Sequence, residues 1–282
     1  MSTLGASRRG APLSGRHLRR VLLYLAAIML TLFMLLPIYL IAVSAFSPRA
    51  VIYTFPKSLL PTAFSTETLR FFLGSEGVLP SALRSVLVGV ITLVLSLLIG
   101  APAGYAVARY GFRGHHTFQL MILATRSFPI VILSIPLAVT FIDWGLYDTL
   151  AGVALVHTAL ALPTTVLITG SVFFSMPREL EEAALTLGCT PLGAFRRVSL
   201  PLARPGIAAA AIFTFVLSWN EVFAATILTV SQRTLPAQVL TSLNSSPLPY
   251  RFAGGFALVV PSLVFIFFMR RYLFNLWGQT RR

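Results

Sequence analysis

The stretch MPRELEEAALTLGCTPLGAFRRVSLPLARPG, residues Met176 to Gly206, separates two strongly apolar tracts of the chain. Its first half predicts a short helix, because Pro177 suits a first helical turn and Gly188 is a natural stop. Ser175 stands where the cap of this helix would be. Three of the eight carboxylates of the chain lie near the N-terminal end of this helix, where its dipole favours negative charge. These are Glu179, Glu181 and Glu182.

A second short helix is predicted directly after the first. Thr190 is its cap, Pro191 takes its first position, and the helix is expected to end before Pro201. Its apolar positions recur every three residues and are Leu192, Phe195 and Val198. A pair of helices lying on the membrane surface is one interpretation, but such helices favour basic polar faces. The three glutamates therefore favour a protein partner for this segment.

The composition is that of an integral membrane protein. Of the 282 residues, 56% are apolar and 11% are charged, whereas about 25% are charged in soluble proteins. The net charge of +14 comes largely from arginines beside apolar segments, where positive charge sets orientation, so no nucleic-acid partner is expected. The single cysteine, Cys189, has no CxxC or histidine-rich companion, so neither a redox pair nor a structural zinc site is expected.

Six apolar segments are long enough to cross the membrane, which takes about 20 helical residues for about 30 Å of hydrocarbon. The predicted transmembrane helices are residues 21–43, 83–108, 117–141, 150–174, 205–230 and 252–270. The predicted fold class is therefore an all-α membrane protein with six transmembrane helices.

Arginine and lysine are divided unevenly between the two sides of this arrangement, with fifteen of the 22 on one side and six on the other. Because positive residues accumulate in the cytoplasm, both termini and the charged segment are predicted to be cytoplasmic. The predicted parts are a disordered cytoplasmic tail (1–20), a first transmembrane helix (21–43), an external loop (44–80), a bundle (81–271) containing the charged segment (177–204), and a cytoplasmic tail (272–282). The external loop is long enough for a short interfacial helix.

The charged segment resembles a known family. It follows the EAA pattern E-A-A-x3-G-x9-I-x-L-P of permease subunits of binding-protein-dependent ABC importers, with Val198 in place of isoleucine as the one departure. The residues that match are Glu182, Ala183, Ala184, Gly188, Leu200 and Pro201. The SWNE sequence from Ser218 to Glu221 and the arginines at the C-terminal end are similar to the carbohydrate-uptake class, and within it to the maltose-type second permease.

The resemblance implies a type I ABC importer permease bundle whose cytoplasmic two-helix loop couples to a separate ATPase. Glu182 would pair with a basic residue of the ATPase, Ala183 and Ala184 would permit close approach, and Gly188 would make the bend. Leu200 and Pro201 complete the predicted coupling residues. For Glu179 and Glu181, a solvated charge at a helix start is the alternative.

The resemblance also implies partners: a second homologous permease, two ATP-binding subunits and an external solute-binding protein in a bacterial or archaeal plasma membrane. Because no phosphate-binding GxxxxGK[ST] is present, ATP would bind a partner chain, and no cofactor, metal or catalytic residue is expected here. The predicted function is a non-catalytic permease subunit that forms half of the translocation pathway for a sugar or polyol. The alternative is a secondary transporter or channel; an intramembrane protease is disfavoured because HExxH and GxSxG are absent.

Four residues at predicted membrane depth are candidates for the substrate pathway: Trp219, Asn220, Glu221 and Arg126. A tryptophan ring and an amide can stack on and hydrogen-bond a sugar. Alternatively, Trp219 is a membrane-interface aromatic, and Asn220 and Glu221 bond to neighbouring helices or to a partner subunit. Arg126 is either a gating cation, a charge near the end of a span, or the partner of Glu221. His157 is expected to be a hydrogen-bonded packing residue.

Overall fold

The computed structural model describes residues 14–56, 60–61, 63–111, 113–242 and 245–278, and in this part of the chain every regular element is helical. In chain order the helices are α1 (Ser14–Ala45), α2 (Arg49–Ile52), α3 (Glu67–Gly74), α4 (Val78–Arg109), α5 (His115–Thr125), α6 (Ile130–Asp143), α7 (Leu150–Ser175), α8 (Glu179–Thr186), α9 (Pro191–Ala194), α10 (Leu200–Leu202), α11 (Arg204–Asn220), α12 (Phe223–Leu228), α13 (Leu235–Ser242) and α14 (Leu248–Gly278). A π-helical turn, Phe195–Ser199, joins α9 to α10.

Six apolar crossings of a membrane can be traced among the described residues. The helices α1, α4, α7 and α14 are each long and apolar enough to cross on their own. The helices α5 and α6 form a bent pair at 85°, and α11 forms another with the helical stretch before it at 74°. Counting each pair as one span gives six, in agreement with the predicted all-α fold. In the second pair α11 is the apolar crossing, because the stretch before it, Pro191–Leu202, belongs to the charged segment. The predicted fifth span, residues 205–230, is not continuous, since α11 ends at Asn220 and α12 begins at Phe223.

The third predicted span, residues 117–141, is not one continuous helix. The chain leaves α5 after Thr125 and begins α6 at Ile130, with Pro129 in an extended conformation at the cap. A proline has no amide to donate and disfavours the helical conformation of the residue before it, here Phe128. Pro129 therefore marks the place where the predicted span is interrupted, whereas Pro136 lies inside α6.

The outermost helices are longer than predicted. The first helix begins at Ser14, inside the predicted disordered tail (1–20), because Leu18, Arg19 and Arg20 are good helix formers that extend the apolar span. The backbone of α14 remains helical to Gly278, inside the predicted tail (272–282). The predictions for residues 1–13 and 279–282 lie outside the described residues.

The predicted external loop, residues 44–80, is folded against the bundle. It contains the short helices α2 and α3 and the start of α4. The ring of Phe72 in α3 is fully buried and lies 4.9 Å from the ring of Tyr250 in α14. The hydroxyl of Thr68 donates to the carbonyl of Ser47 at 3.2 Å. This region is therefore a packed part of the molecule.

The helices α4 and α7 form the most closely packed pair, because small residues line their contact. A Cβ on Gly104 would lie 2.2 Å from the Thr169 hydroxyl and 2.7 Å from the Gly170 amide nitrogen, so the two backbones nearly touch there. The Thr169 hydroxyl also donates to the Gly100 carbonyl at 3.0 Å. Small residues and hydroxyl bonds of this kind hold helices together where lipid provides no hydrophobic driving force.

Candidate functional site

The charged segment folds as the two short helices that the sequence predicts. The first, α8, ends in a left-handed turn at Gly188, where φ is +88°. The amide of Gly188 donates to the Leu185 carbonyl and that of Cys189 to the Ala184 carbonyl, both at 3.0 Å. These two bonds satisfy carbonyls that the helix end leaves free, and a left-handed residue in this position favours glycine. A Cβ at Gly188 would meet no atom within 4 Å, so the requirement for glycine comes from the backbone.

The predicted cap of the second helix is confirmed, and the predicted cap of the first helix is not. The Thr190 hydroxyl accepts from the Gly193 amide at 3.1 Å and Pro191 takes the first position of α9, as predicted. Ser175, however, is the last residue of α7 rather than the cap of α8. Its hydroxyl donates to the Val172 carbonyl at 2.8 Å, within its own helix.

The second helix does not end before Pro201 as predicted. Pro201 has no amide for a bond to the carbonyl four residues earlier, and the chain accommodates it with the π-helical turn Phe195–Ser199. The amide of Leu200 closes this turn by donating to the Phe195 carbonyl. The helical path then continues through α10.

The three apolar positions of the second helix do not share one environment. The ring of Phe195 is buried, 4.6 Å from the ring of Tyr105 and 6.0 Å from that of Phe173. Val198 is half-buried and Leu192 is exposed. The expected continuous stripe is therefore divided: Phe195 anchors the segment to the bundle, and Leu192 faces outward.

The predicted coupling residues are likewise divided between surface and interior. Ala184 is buried and Leu200 and Pro201 are half-buried, so of the two alanines only Ala183 is exposed in this chain. The exposed residues of the segment include two carboxylates, Glu179 and Glu182, and five leucines, of which Leu187 has 86% of its surface free. We call the following exposed set the loop surface: Glu182, Ala183, Leu187, Gly188 and Leu192.

Glu181 lies on the inner side of α8 and fastens the segment to α4. Its carboxylate accepts from the Nε of Arg109 at 2.8 Å and lies 2.7 Å from the Nη2 of the same side chain. The Tyr105 hydroxyl donates to its other oxygen at 2.9 Å. The guanidinium of Arg109 also donates to the Met176 carbonyl, at 3.2 Å from both terminal nitrogens. We call Arg109, Glu181 and Tyr105 the joint.

A second polar site lies at the break between α11 and α12. Glu221 is in an extended conformation after the last residue of α11. Its two carboxylate oxygens accept from the amides of Ala224 at 2.9 Å and Ala225 at 3.1 Å. The side chain thus satisfies amides at the start of α12 that have no partner within that helix.

His157 of α7 ties this break to the neighbouring helices. Its Nε2 lies 3.1 Å from the Glu221 carboxylate and its Nδ1 lies 2.9 Å from the Ser218 hydroxyl. Ser218 in turn donates towards Thr92 of α4 at 3.5 Å. The imidazole is fully buried, as expected for a hydrogen-bonded packing residue. The alternative in which Glu221 bonds to a neighbouring helix is therefore the one that the structure supports.

The other candidates for the substrate pathway have unlike positions. Trp219 is 2% exposed, and its ring nitrogen donates to the Leu258 carbonyl at 2.8 Å, so neither a free ring face nor a membrane-interface role is available to it. Asn220 is exposed, and its amide nitrogen donates to the Val216 carbonyl at 2.9 Å. Asn220 therefore lies on the surface of this chain, whereas Trp219 packs in the interior.

Arg126 lies at the bend between α5 and α6 and is exposed. Its guanidinium makes no hydrogen bond or ion pair with any described residue. The suggested pairing of Arg126 with Glu221 is wrong, because His157 occupies that position.

The loops at the opposite end of the bundle are joined by Asp148, which adopts a positive φ of 55°. Its carboxylate accepts from the amides of Val230, Ser231 and Gln232 at 2.8 to 3.0 Å and from the Ser231 hydroxyl. Partial burial raises the pKa of Asp148, but these hydrogen bonds outweigh that effect and hold the pKa below its ordinary value.

Three functional features escaped prediction: the joint, the His157 bond to Glu221, and the Asp148 contacts. The residues that each feature joins across the chain are between 64 and 84 positions apart. No local spacing rule reports such pairs, and only the rarity of charge inside an apolar bundle marked Glu221. Among the described residues, no group of three metal-ligating side chains could hold a metal ion.

Comparison with known proteins gives a family match and several relatives. Residues 96–276 match the family described as "Binding-protein-dependent transport system inner membrane component". The chain is 32% identical to the trehalose transport system permease protein SugB of Mycobacterium tuberculosis, over 76% of this chain and 80% of that protein. It is 34% identical to the diacetylchitobiose uptake system permease protein NgcG of Streptomyces coelicolor, over 69% of this chain and 64% of that protein. It is also 34% identical to the arabinooligosaccharides transport system permease protein AraQ of Halalkalibacterium halodurans, over 67% and 68%.

Two solved structures have the same fold. A chain of a bacterial ABC transporter involved in the import of the acidic polysaccharide alginate superposes with a TM-score of 0.71 at 23% identity, over 95% of this chain and 99% of that one. A chain of the MetNI methionine ABC transporter in an inward-facing conformation superposes with a TM-score of 0.60 at 20% identity, over 70% of this chain and 95% of that one.

Proposed function

Since the chain belongs to the family of binding-protein-dependent transport system inner membrane components, we propose that it is a permease subunit of an ATP-driven importer of a sugar or a related polyol. The chain is a multi-pass membrane protein and is itself non-catalytic, because ATP hydrolysis in such importers belongs to a partner chain. The relatives named above transport trehalose, diacetylchitobiose and arabinooligosaccharides, which supports a carbohydrate substrate. No feature of the chain favours a secondary transporter or channel over this function.

The loop surface is the observation that carries the proposal. A helix of eight residues ends at a sharp turn on Gly188 and leaves Glu182 and Leu187 exposed on a segment between two spans. An exposed leucine beside a carboxylate suits a groove that is apolar with a basic residue at its edge. In this function the groove belongs to the ATP-binding subunit, and Glu182 pairs with its basic residue.

The transport cycle follows from this contact. An external solute-binding protein delivers the solute to the outer end, and closure of two ATP-binding subunits moves the loop surfaces of two related permeases. The bundle then opens outward, and hydrolysis returns it to an inward-open state. Both termini and the loop surface lie in the cytoplasm, in agreement with the excess of arginine on that side. This chain supplies half of the pathway, with Asn220 as its first candidate to contact the solute.

A crosslinking experiment in intact cells tests the contact with the ATPase. A photoreactive residue at Leu187 of the full-length chain should capture a nucleotide-hydrolysing subunit, identified by mass spectrometry. The matched control places the same photoreactive residue at Phe33, whose side chain is 74% exposed on the membrane-spanning helix α1. This position lies outside the loop surface and should not capture the subunit. Absence of an ATPase at Leu187, or labelling of this position only from outside the cell, would contradict the proposal.

A transport experiment separates the two function classes. Vesicles that contain this chain alone should show no uptake under an imposed ion gradient, with trehalose as the probe. Uptake by the chain alone would favour the secondary transporter.

The solute itself is best identified by thermal shift of the external solute-binding protein across a carbohydrate panel. Once the solute is known, Asn220→Ala should change solute preference more than it changes assembly of the transporter.

A further inference from the structure

The joint is the strongest polar contact between the charged segment and a membrane-spanning helix among the described residues. The side chains of Arg109 and Glu181 are 6% and 12% exposed, and they meet through two contacts shorter than 3 Å. Charge-assisted contacts of this kind fix orientation as well as distance. The Tyr105 hydroxyl and the Met176 carbonyl hold the two charged groups from either side. The start of α8 is thereby attached to the end of α4.

A need for stability alone does not account for this pair. Removing two charges from water is unfavourable, and apolar residues of similar size often stabilise a protein equally well or better. The surroundings could accept such residues, since Tyr105, Phe173 and Phe195 already form an aromatic cluster beside the joint. The Arg109–Glu181 pair is therefore better explained by a role in holding α8 and α4 in a fixed relative orientation.

The helix α4, which carries Arg109 and Tyr105, is packed so that a movement at its end would also move α7. At Gly104 the backbone of α4 approaches the Gly170 amide of α7 so closely that a Cβ on Gly104 has no room. The Thr169 hydroxyl bonds across this contact to Gly100. A movement applied to the Arg109 end of α4 is therefore shared with α7, and it reaches the opposite end of the bundle, where α4 begins at Val78.

We propose that the joint of Arg109, Glu181 and Tyr105 transmits the movement of the loop surface to α4, as a set of positioning residues that do not bind the ATPase themselves. This inference rests on the proposed function. It assigns different tasks to adjacent glutamates: Glu182 binds the ATP-binding subunit, and Glu181 passes its movement into the membrane.

The test follows two thiols in the complete transporter, isolated with its ATP-binding subunits. Cys189 reports the loop itself; in a Cys189→Ser background, Leu83→Cys reports the far end of α4, where the native side chain is 62% exposed. Maleimide labelling rates are measured without nucleotide and with ATP plus vanadate. In the otherwise unchanged complex both rates should respond to nucleotide. In the double variant R109Q/E181Q the response at Cys189 should remain, while the response at Leu83→Cys should fall about fivefold or more, the lower end of typical coupling between linked sites.

The double variant distinguishes transmission from simple stability. A single variant, Glu181→Gln or Arg109→Gln, leaves one buried charge unpaired and should lower the unfolding temperature, whereas the double variant removes both charges and should recover it. Recovery of the nucleotide response at Leu83→Cys together with the unfolding temperature would overturn the inference. Tyr105→Phe keeps the ring and removes one hydrogen bond, so it should weaken the response without loss of folding. Glu179→Gln is the matched control, because Glu179 is exposed on the same helix and has no partner among the described residues.

Failure of the inference and failure of the proposed function give different results. If no ATPase is isolated with the unchanged chain, or if Cys189 does not respond to ATP, the proposed function fails. If both thiols respond equally in the unchanged complex and in R109Q/E181Q, only the joint is overturned. Loss of the ATPase from R109Q/E181Q would also overturn it, since the joint would then belong to the docking contact.

Discussion

Glu181 and Glu182 are adjacent in the chain and have opposite surroundings. Successive residues of a helix point about 100° apart, so one carboxylate faces α4 and the other faces outward. Glu181 is bonded to Arg109 and Tyr105, whereas Glu182 belongs to the loop surface. The charge of each residue therefore has a different consequence: one fixes the segment to the bundle, and the other is available to a partner.

Gly188 gives a prediction about backbone conformation. Gly188→Ala should weaken the hold of the ATP-binding subunit, because an L residue in a left-handed conformation costs about 1 to 2 kcal/mol and the turn that presents the loop surface would distort. The measurement is recovery of the ATPase with the affinity-tagged chain. Gly111→Ala is the control, since a Cβ there meets no atom within 4 Å and φ is not in the left-handed region. Equal recovery of the ATPase with both variants would contradict the prediction.

His157 gives a prediction about buried hydrogen bonds. His157→Phe keeps a ring in the interior but removes one hydrogen-bond partner from Glu221 and one from Ser218. Loss of a partner by a buried polar group costs about 1 to 3 kcal/mol, so the variant should unfold at a lower temperature in detergent.

The matched control for His157 lies on the same helix. Thr164 has a buried hydroxyl with no hydrogen-bond partner among the described residues, and Thr164→Val replaces it with a methyl group of similar shape. This substitution should leave the unfolding temperature unchanged or raise it, because no bond is lost. A fall as large as that of His157→Phe would show that packing on α7, rather than hydrogen bonding, determines the result.

At the scale of the helices, hydropathy predicted where the chain crosses the membrane, and α7 begins at the predicted residue. It did not predict where helices break, because an apolar run has the same composition whether or not it is interrupted. The bend before Pro129 had a visible cause in its proline. The break at Glu221 has no proline; there the Glu221 carboxylate accepts from the Ala224 and Ala225 amides, and its further partner His157 is distant in sequence.

The contact between α4 and α7 gives a prediction at the same scale. Gly104→Ala places a methyl group against the Thr169 hydroxyl and the backbone of Gly170, so the two helices must separate. Overpacking of this kind costs about 1 to 3 kcal/mol, which thermal unfolding in detergent can measure. Gly255→Ala in α14 is the control, because its nearest neighbour would be the Ile41 side chain at an ordinary 3.5 Å. If both variants unfold at the same temperature, the close approach of α4 and α7 is not needed for stability.

At the scale of the whole molecule, its parts are held together by contacts between residues far apart in the chain. Asp148 joins the loop after α6 to the loop after α12, and Arg84 of α4 donates to the Ser231 carbonyl at 3.0 Å beside it. The joint does the same at the other end of α4. Composition and motif could predict the family, but the sequence has no local signal for these long-range partners.

Asp148 gives a prediction about pH. Its pKa is lower in the folded protein than in the unfolded chain, so its contribution to stability is complete above the unfolded value of about 3.9 and is lost as the pH falls through the folded value. The unfolding temperature should therefore fall in acid, and Asp148→Asn should reduce this dependence, since asparagine tolerates the positive φ but does not titrate.

The control for Asp148 is another carboxylate close by. Asp143 is exposed and has no partner among the described residues, so Asp143→Asn should leave the pH dependence as it was. Parallel pH curves for Asp148→Asn and the unchanged protein would mean that the hydrogen bonds to the second loop do not contribute to stability.

The near contact of two backbones at Gly104 and Gly170 limits where a conduit can form. A hole through the middle of this subunit would require α4 and α7 to part, and their close packing opposes that. In the proposed importer, the solute pathway is therefore expected along an outer flank of this subunit, against the second permease, and shortening side chains between α4 and α7 should not widen it.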